Sequence, residues 1–286
     1  MPAQIVTAIP RAVRRERDLD LPTFEAALRA IDPHVQGVLV AGTTGEFPAL
    51  DDDERVALFR KAAEVLGAER VIAHLGHGST LQVLRLAQAT WDAGITRFAL
   101  LSPYYLPTDD EGVVEFFRAV TEAFPQAQVY AYLFPERTGM DVSPEVLGRV
   151  LELPGMAGVK LSGGAAARLT EYAPVLREGQ ELYSGDDSTL PFVLEQGGAG
   201  VVSGVSAAFP ATFAALAKAL DDGDRERADE VQAVVKQVVA LTGPTIPRLK
   251  TAMAARDGAG WASRMALPAV TAELQLQIEE AVAQHG

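Results

Sequence analysis

Apolar residues along the chain gather into two alternating kinds of stretch. Short runs of β-branched and other apolar residues occupy 4–9, 37–40, 71–74, 97–101, 128–132, 158–161, 181–184 and 200–202. Between them, apolar positions recur every three to four residues, the spacing of one helix face. In 51–66, Val56, Phe59, Ala62, Ala63 and Leu66 form one stripe. Helices are predicted there and at 23–30, 80–93, 113–123, 144–151, 165–172, 190–196 and 211–220. Acidic clusters at 51–54, 109–111 and 186–188 stand at or near helix starts. Carboxylates there meet unpaired amides and a favourable dipole, so they read as caps rather than metal ligands.

Strands that are apolar throughout are covered on both faces, which indicates a parallel sheet. Eight strand–helix units in about 220 residues is the count for a closed (β/α)8 TIM barrel. A doubly wound open sheet is the alternative. It normally carries G-x-G-x-x-G after its first strand, whereas here that strand runs into Pro10 and Arg11. After Leu220 the pattern predicts helices alone, at 224–241, 246–255 and 270–283, punctuated by Gly243-Pro244 and by 258–260. The predicted organisation is a barrel over 1–222 and a C-terminal helical extension over 223–286.

Composition narrows the chemistry. None of the 286 residues is cysteine, which excludes a disulfide scaffold, a thiol nucleophile, thiolate zinc and iron–sulfur clusters. Lys and Arg number 25 against 38 Asp and Glu, a net charge of −13, which argues against a nucleic-acid partner. The basic residues at the start follow the apolar run, whereas a secretory leader has them before it. No apolar stretch reaches about 18 residues, so no membrane span is expected. A cytoplasmic protein is the expectation.

In a barrel, chemistry sits at the C-terminal ends of the strands. The second predicted strand ends in Gly42-Thr43-Thr44-Gly45-Glu46. Two hydroxyls in a tight turn can hold a carboxylate, or simply cap the turn. The fourth ends in Pro103-Tyr104-Tyr105-Leu106, either rigidly placed phenols or packing. The fifth ends in Tyr132, with Arg137 five residues on. A phenol there can relay protons, and arginine can clamp a carboxylate in bidentate fashion, unless Arg137 is an ordinary surface residue. Of five lysines, Lys61, Lys218, Lys236 and Lys250 fall on predicted helices or their flanks, and Lys160 alone lies inside a predicted strand. Its amine is either a Schiff-base nucleophile or a head emerging at the rim. The last two strands end in Gly185-Asp186-Asp187 and in 200–204, where small residues admit a ligand close to the backbone. The acidic pair argues against a phosphorylated substrate. His74 and His77, three apart at the third strand end, lack an evident third ligand and read as structural; no metal is expected.

Five motifs then fall in order over about 200 residues, on successive strand ends: GTTGE at 42–46, PYY at 103–105, tyrosine followed by P-x-R-T-G at 132–139, GVK at 158–160 and GDD at 185–187. Together they resemble the dihydrodipicolinate synthase/N-acetylneuraminate lyase family of pyruvate-dependent class I aldolases. The resemblance implies that Lys160 condenses with the ketone of pyruvate, with no cofactor beyond that Schiff base. It implies that Thr43 and Thr44 hold the pyruvate carboxylate beside Gly42, and that Tyr132 shuttles protons with Thr43. Tyr105 would complete the relay from a neighbouring subunit, with Tyr104 beside it. Gly185 and Val202 would line the pyruvate pocket, and Arg137 would hold the second substrate's carboxylate. A homotetramer, a dimer of dimers, is implied too.

There are departures. Leu133 and Leu106 stand where the synthase branch has asparagine, and are expected to make the pocket more apolar. The helix at 79–88 lacks the carboxylate that would help bind inhibitory lysine, so strong lysine feedback is not expected. Three functions follow: a synthase-like aldolase using an aldehyde such as aspartate semialdehyde; an aldolase for a 2-keto-3-deoxy sugar acid or other 2-oxo acid; or a non-catalytic ligand-binding barrel.

Overall fold

The computed structural model describes residues 2–13, 18–243 and 245–286. Part of the basic cluster at the start (Arg14, Arg15 and Arg17) and Pro244 of the predicted Gly243-Pro244 break lie outside them. Among the described residues, β1 (Gln4–Ala8), β2 (Gly37–Val40), β3 (Val71–His74), β4 (Arg97–Leu101), β5 (Gln128–Leu133), β6 (Met156–Leu161), β7 (Glu181–Ser184) and β8 (Gly200–Ser203) pair in parallel and in sequence order. β8 returns to pair with β1, closing the barrel.

Strand alternation decides what faces where. Val6, Leu39, Ile72, Ala99, Tyr130, Tyr183 and Val202 fill the interior. Their neighbours, among them Val38, Val40, Phe98, Leu100, Val129 and Val159, join the core beneath the helices. Those helices are α1 (Leu21–Ile31), α2 (Asp52–Leu66), α3 (Thr80–Asp92), α4 (Asp110–Ala123), α5 (Pro135–Thr138), α6 (Pro144–Leu151), α7 (Gly164–Ala167), α8 (Leu169–Tyr172), α9 (Leu190–Glu195) and α10 (Pro210–Asp221). α11 (Arg225–Thr242), α12 (Ile246–Asp257) and α13 (Ala272–His285) form the C-terminal helical extension. None of these helices is long and apolar enough to cross a membrane.

The caps separate into two kinds. Asp51 closes a capping box: its carboxylate accepts from the Glu54 amide at 2.8 Å, and Glu54 accepts from the Asp51 amide at 3.2 Å. Such a cap stabilises a helix by about 1 kcal/mol. Asp109 accepts from the Gly112 amide at 2.8 Å. The cluster at 186–188 does not cap α9. Asp186 instead folds back onto the Ser188 amide and hydroxyl, at 3.0 and 2.8 Å, and Asp187 turns inward. The single helix predicted over 165–172 is two, α7 and α8. The break is at Arg168, which leaves helical geometry (φ −103°, ψ 24°) and pairs with Asp141 at 2.8 Å.

The lower end of the barrel is closed by a polar floor. The Tyr130 hydroxyl donates to Glu181 at 2.6 Å and accepts from Arg97 at 2.8 Å. Tyr183 donates to Gln4 at 2.6 Å. Burial pushes the Tyr130 phenol from 10.0 up to about 12, and that of Tyr183 up as well. A phenol with a raised native pKa favours folding most below its unfolded pKa. That stability is lost as pH rises through the native value. The melting temperature should therefore fall between about pH 10 and pH 12, and Tyr130→Phe should flatten that fall in circular-dichroism melts. An unchanged slope would mean that this phenol does not titrate on unfolding.

Candidate active site

A cavity of about 890 Å³ opens at the C-terminal ends of the strands. Lys160, Tyr132, Thr43, Thr44, Arg137, Gly185 and Val202 all line it. The extension supplies part of the wall, through Val239, Thr242, Ile246 and Leu249.

Lys160 reaches this cavity because of strand parity. Val159 and Leu161 face the helices, so Lys160 between them faces the interior, opposite Tyr132 on β5 and Tyr183 on β7. The residue is 7% exposed. Among the described residues its amine has no hydrogen-bonded partner and lies 4.0 Å from the centre of the Tyr132 ring. Gly185 makes room for it. A Cβ there would meet the Ser162 hydroxyl at 2.1 Å and Lys160 Cε at 3.1 Å, so any side chain would push the Ser162 hydroxyl aside and crowd the lysine stem.

The Tyr132 hydroxyl and Thr43 Oγ1 are 3.1 Å apart. The turn carrying Thr43 and Thr44 is bracketed by two residues with left-handed backbone, Ala41 (φ 52°) and Glu46 (φ 53°). The Glu46 amide donates to the Thr43 carbonyl at 3.0 Å and the Phe47 amide to the Gly42 carbonyl at 3.2 Å. Arg11 Nε, in the segment after β1, donates to the Gly45 carbonyl at 3.1 Å. Arg137, on the one-turn helix α5, lies 5.5 Å over the Phe134 ring, and no carboxylate pairs with it among the described residues. An amine, a phenol, two hydroxyls and an open guanidinium thus share one cavity. The amine can add to a carbonyl carbon, the phenol can carry protons, and the turn and the guanidinium can receive anions.

Other expected residues lie elsewhere. Gly42 does not line the cavity; its part is the hydrogen-bonded base of the turn. Tyr104 packs edge-on against Phe47 at 6.1 Å. Tyr105 is 90% exposed, with a left-handed backbone (φ 78°). The expectation that Leu133 and Leu106 make the pocket apolar is overturned. Leu133 faces outward into the helix-packed core and Leu106 is 72% exposed. Parity explains Leu133, since β5 turns Tyr130 and Tyr132 inward and its odd positions outward. The apolar surface comes instead from Phe134 and the extension.

His74 and His77 take separate places. The His74 ring is fully buried, 4.6 Å from Phe47 and 5.8 Å from Tyr132. Burial, with Arg55 nearby, holds it well below the ordinary histidine range and hence neutral. His77 Nε2 is 2.8 Å from Asp52.

The motif reading assigned no role to three residues. Asp187 is half-buried and lines the cavity, where its carboxylate accepts from the Ser203 hydroxyl at 2.5 Å and the Val205 amide at 2.9 Å. Burial raises its pKa against those two donors. Glu46 and Lys250 meet at 2.5 Å behind the threonine turn, both buried. Burial pushes Lys250 down to about 8 despite Glu46. Burial also acts on Glu46, but Lys250, the Met265 amide and Arg11 outweigh it and lower its pKa. The signal for Lys250 was its place on the buried face of α12, beside Leu249, Ala252 and Met253.

The sequence model of the Dihydrodipicolinate synthetase family matches residues 1–285. A 4-hydroxy-tetrahydrodipicolinate synthase of Cyanothece sp. is 30% identical over 282 residues, 96% of this chain and 94% of that one. The crystal structure of a dihydrodipicolinate synthase from Bacillus anthracis superposes with a TM-score of 0.90 at 24% identity, covering 99% of this chain and 98% of that chain. A 2-keto-3-deoxygluconate aldolase variant from Sulfolobus solfataricus superposes with a TM-score of 0.86 at 22% identity, covering 98% and 95%. These last two likenesses are of fold. With its family model spanning the barrel and the extension alike, the chain belongs to the dihydrodipicolinate synthetase family of aldolases and lyases.

Proposed function

We propose that the protein is a class I aldolase that binds pyruvate as a Schiff base on Lys160 and joins it to an aldehyde carrying a carboxylate. The carrying observation is the unpaired Lys160 amine 4.0 Å over the Tyr132 ring, with the Tyr132 hydroxyl 3.1 Å from Thr43. In this reading, Lys160 Nζ attacks the ketone carbon and the carbinolamine loses water to give an iminium. The iminium is an electron sink, so the methyl group loses a proton and the resulting enamine attacks the aldehyde carbon. The aldehyde oxygen takes a proton, and water then releases the product and the free amine. Tyr132 and Thr43 carry these protons, while Thr43 and Thr44 hold the pyruvate carboxylate. Gly185 and Val202 bound the pyruvate end. The chemistry asks for no metal or organic cofactor. Exposed and backbone-strained, Tyr105 fits a role in the site of a second copy, within a homotetramer.

Arg137 favours a carboxylate on the acceptor, as in a synthase acting on aspartate semialdehyde. A second reading has its own support: Ser162, Asp186 and Ser188 line the same cavity and could bind the hydroxyls of a 2-keto-3-deoxy sugar acid. Arg137→Ala separates the two. With a carboxylate-bearing aldehyde it should raise the acceptor KM about 10- to 100-fold, the loss of one charged bidentate contact. With a neutral hydroxylated aldehyde, kcat/KM should change little. The Schiff base itself is tested by borohydride reduction in the presence of pyruvate, followed by peptide mass spectrometry. A reduced adduct on Lys160 is expected; its absence would overturn the aldolase reading in favour of a ligand-binding barrel.

A further inference from the structure

Glu46 stands directly behind the threonine turn, is 1% exposed and does not line the cavity. Four donors converge on its carboxylate. Lys250 Nζ donates to Oε1 at 2.5 Å, and Arg11 Nη2 donates to Oε2 at 3.3 Å. The backbone amides of Arg264 and Met265 donate to Oε2 at 3.1 and 2.9 Å. These donors come from the segment after β1, from α12 and from the segment between α12 and α13. That segment runs on to Leu267 and Pro268, which line the cavity. Gly204 stands between the turn and α12: a Cβ built there would lie 3.4 Å from the Thr44 side chain and 3.5 Å from that of Leu249.

The turn itself is held in an unfavourable shape. A left-handed backbone is sparsely populated for residues with a Cβ, and it persists where the surroundings over-determine it. Ala41 and Glu46 both adopt it, at the two ends of the turn. A buried ion pair stabilises a fold no better than apolar packing of the same volume. Stability alone therefore does not account for a four-donor cluster placed behind two site hydroxyls.

We infer that Glu46 is a positioning residue, locking the turn so that Thr43 and Thr44 face the substrate carboxylate, and that the C-terminal extension takes part in substrate binding through it. This rests on the reading of the cavity as a pyruvate site. Glu46 touches no substrate; it acts through the turn. Lys250 and the 264–265 amides act through Glu46.

The test is the pyruvate concentration that half-saturates borohydride trapping on Lys160 of the full chain, together with the plateau reached at saturation. Lys160 stands on β6, outside the turn, so its reactivity is a separate readout. Glu46→Gln is expected to raise the half-saturating concentration about tenfold while the plateau is kept, as misaligned donors lose their grip on the carboxylate. Lys250→Met leaves Arg11 to balance Glu46 and so remains charge-neutral should Glu46→Gln fail to fold. It is expected to raise the same concentration about threefold. Restoring the cation with Lys250→Arg should recover part of the loss. Folded variants with an unchanged half-saturating concentration and only a lower melting temperature would overturn the inference. Failure of the unaltered protein to form any adduct would instead overturn the pyruvate reading, so the two failures are distinguishable.

Discussion

Lys160→Ala is expected to abolish the borohydride-trapped pyruvate adduct and to lower turnover by about 10⁴-fold or more, since no route through a covalent iminium remains. None of the other four lysines should substitute. Lys250 is the other buried lysine, but its amine is engaged by Glu46 and by the Ala262 carbonyl at 2.6 Å, on the far side of the turn. The fold should survive. Lys160 makes no hydrogen bond or ion pair among the described residues, so its removal leaves no buried polar partner unsatisfied. Circular dichroism should therefore match the parent protein while trapping is lost. A variant that still accumulates a reduced pyruvate adduct, located by peptide mapping, would move the nucleophile elsewhere.

Tyr132→Phe should give the second largest loss, about 10²- to 10³-fold in kcat, the scale of a single positioned proton-transfer group. The substitution is conservative in shape. Phenylalanine keeps the ring beneath the Lys160 amine, its edge contact with His74 and its tilted contact with Phe134, whose centroids lie 5.8 and 6.2 Å away. It removes only the hydroxyl that meets Thr43. Adduct formation with pyruvate should consequently become slow yet reach the parent's extent after long incubation. Parent-like trapping rates with parent-like turnover would remove Tyr132 from the proton path.

Much of this architecture is legible in the sequence because the barrel repeats one simple rule. Apolar runs covered on both faces announce parallel strands, and the runs at 37–40, 71–74, 97–101 and 181–184 match β2, β3, β4 and β7 residue for residue. Lys160 stands out because a cation inside such a run needs a reason. What escaped depends on tertiary structure. Leu133 was placed in the pocket by its motif neighbours, yet strand parity turns it outward. Asp187 looked like a cap because it stands near a helix, whereas the β8 segment draws it inward with a hydroxyl and an amide. Glu46 and Lys250 are separated by 204 positions, and no local pattern links them. The predicted helix also breaks at Arg168, whose side chain pairs both with Asp141 outside it and with Glu171 in α8.

The polar floor beneath the barrel has a kinetic consequence. Arg97, Tyr130, Glu181, Tyr183 and Gln4 shut the lower end, so Lys160 meets solvent through the C-terminal face that also carries Arg137. In a vessel filled from the top, depth sets the order of entry. On the proposed reading, the keto acid held at the bottom by Lys160 arrives before the partner held at the rim, and the joined product leaves before the next keto acid descends. The shape of the barrel thus predicts an ordered sequence of arrivals and departures.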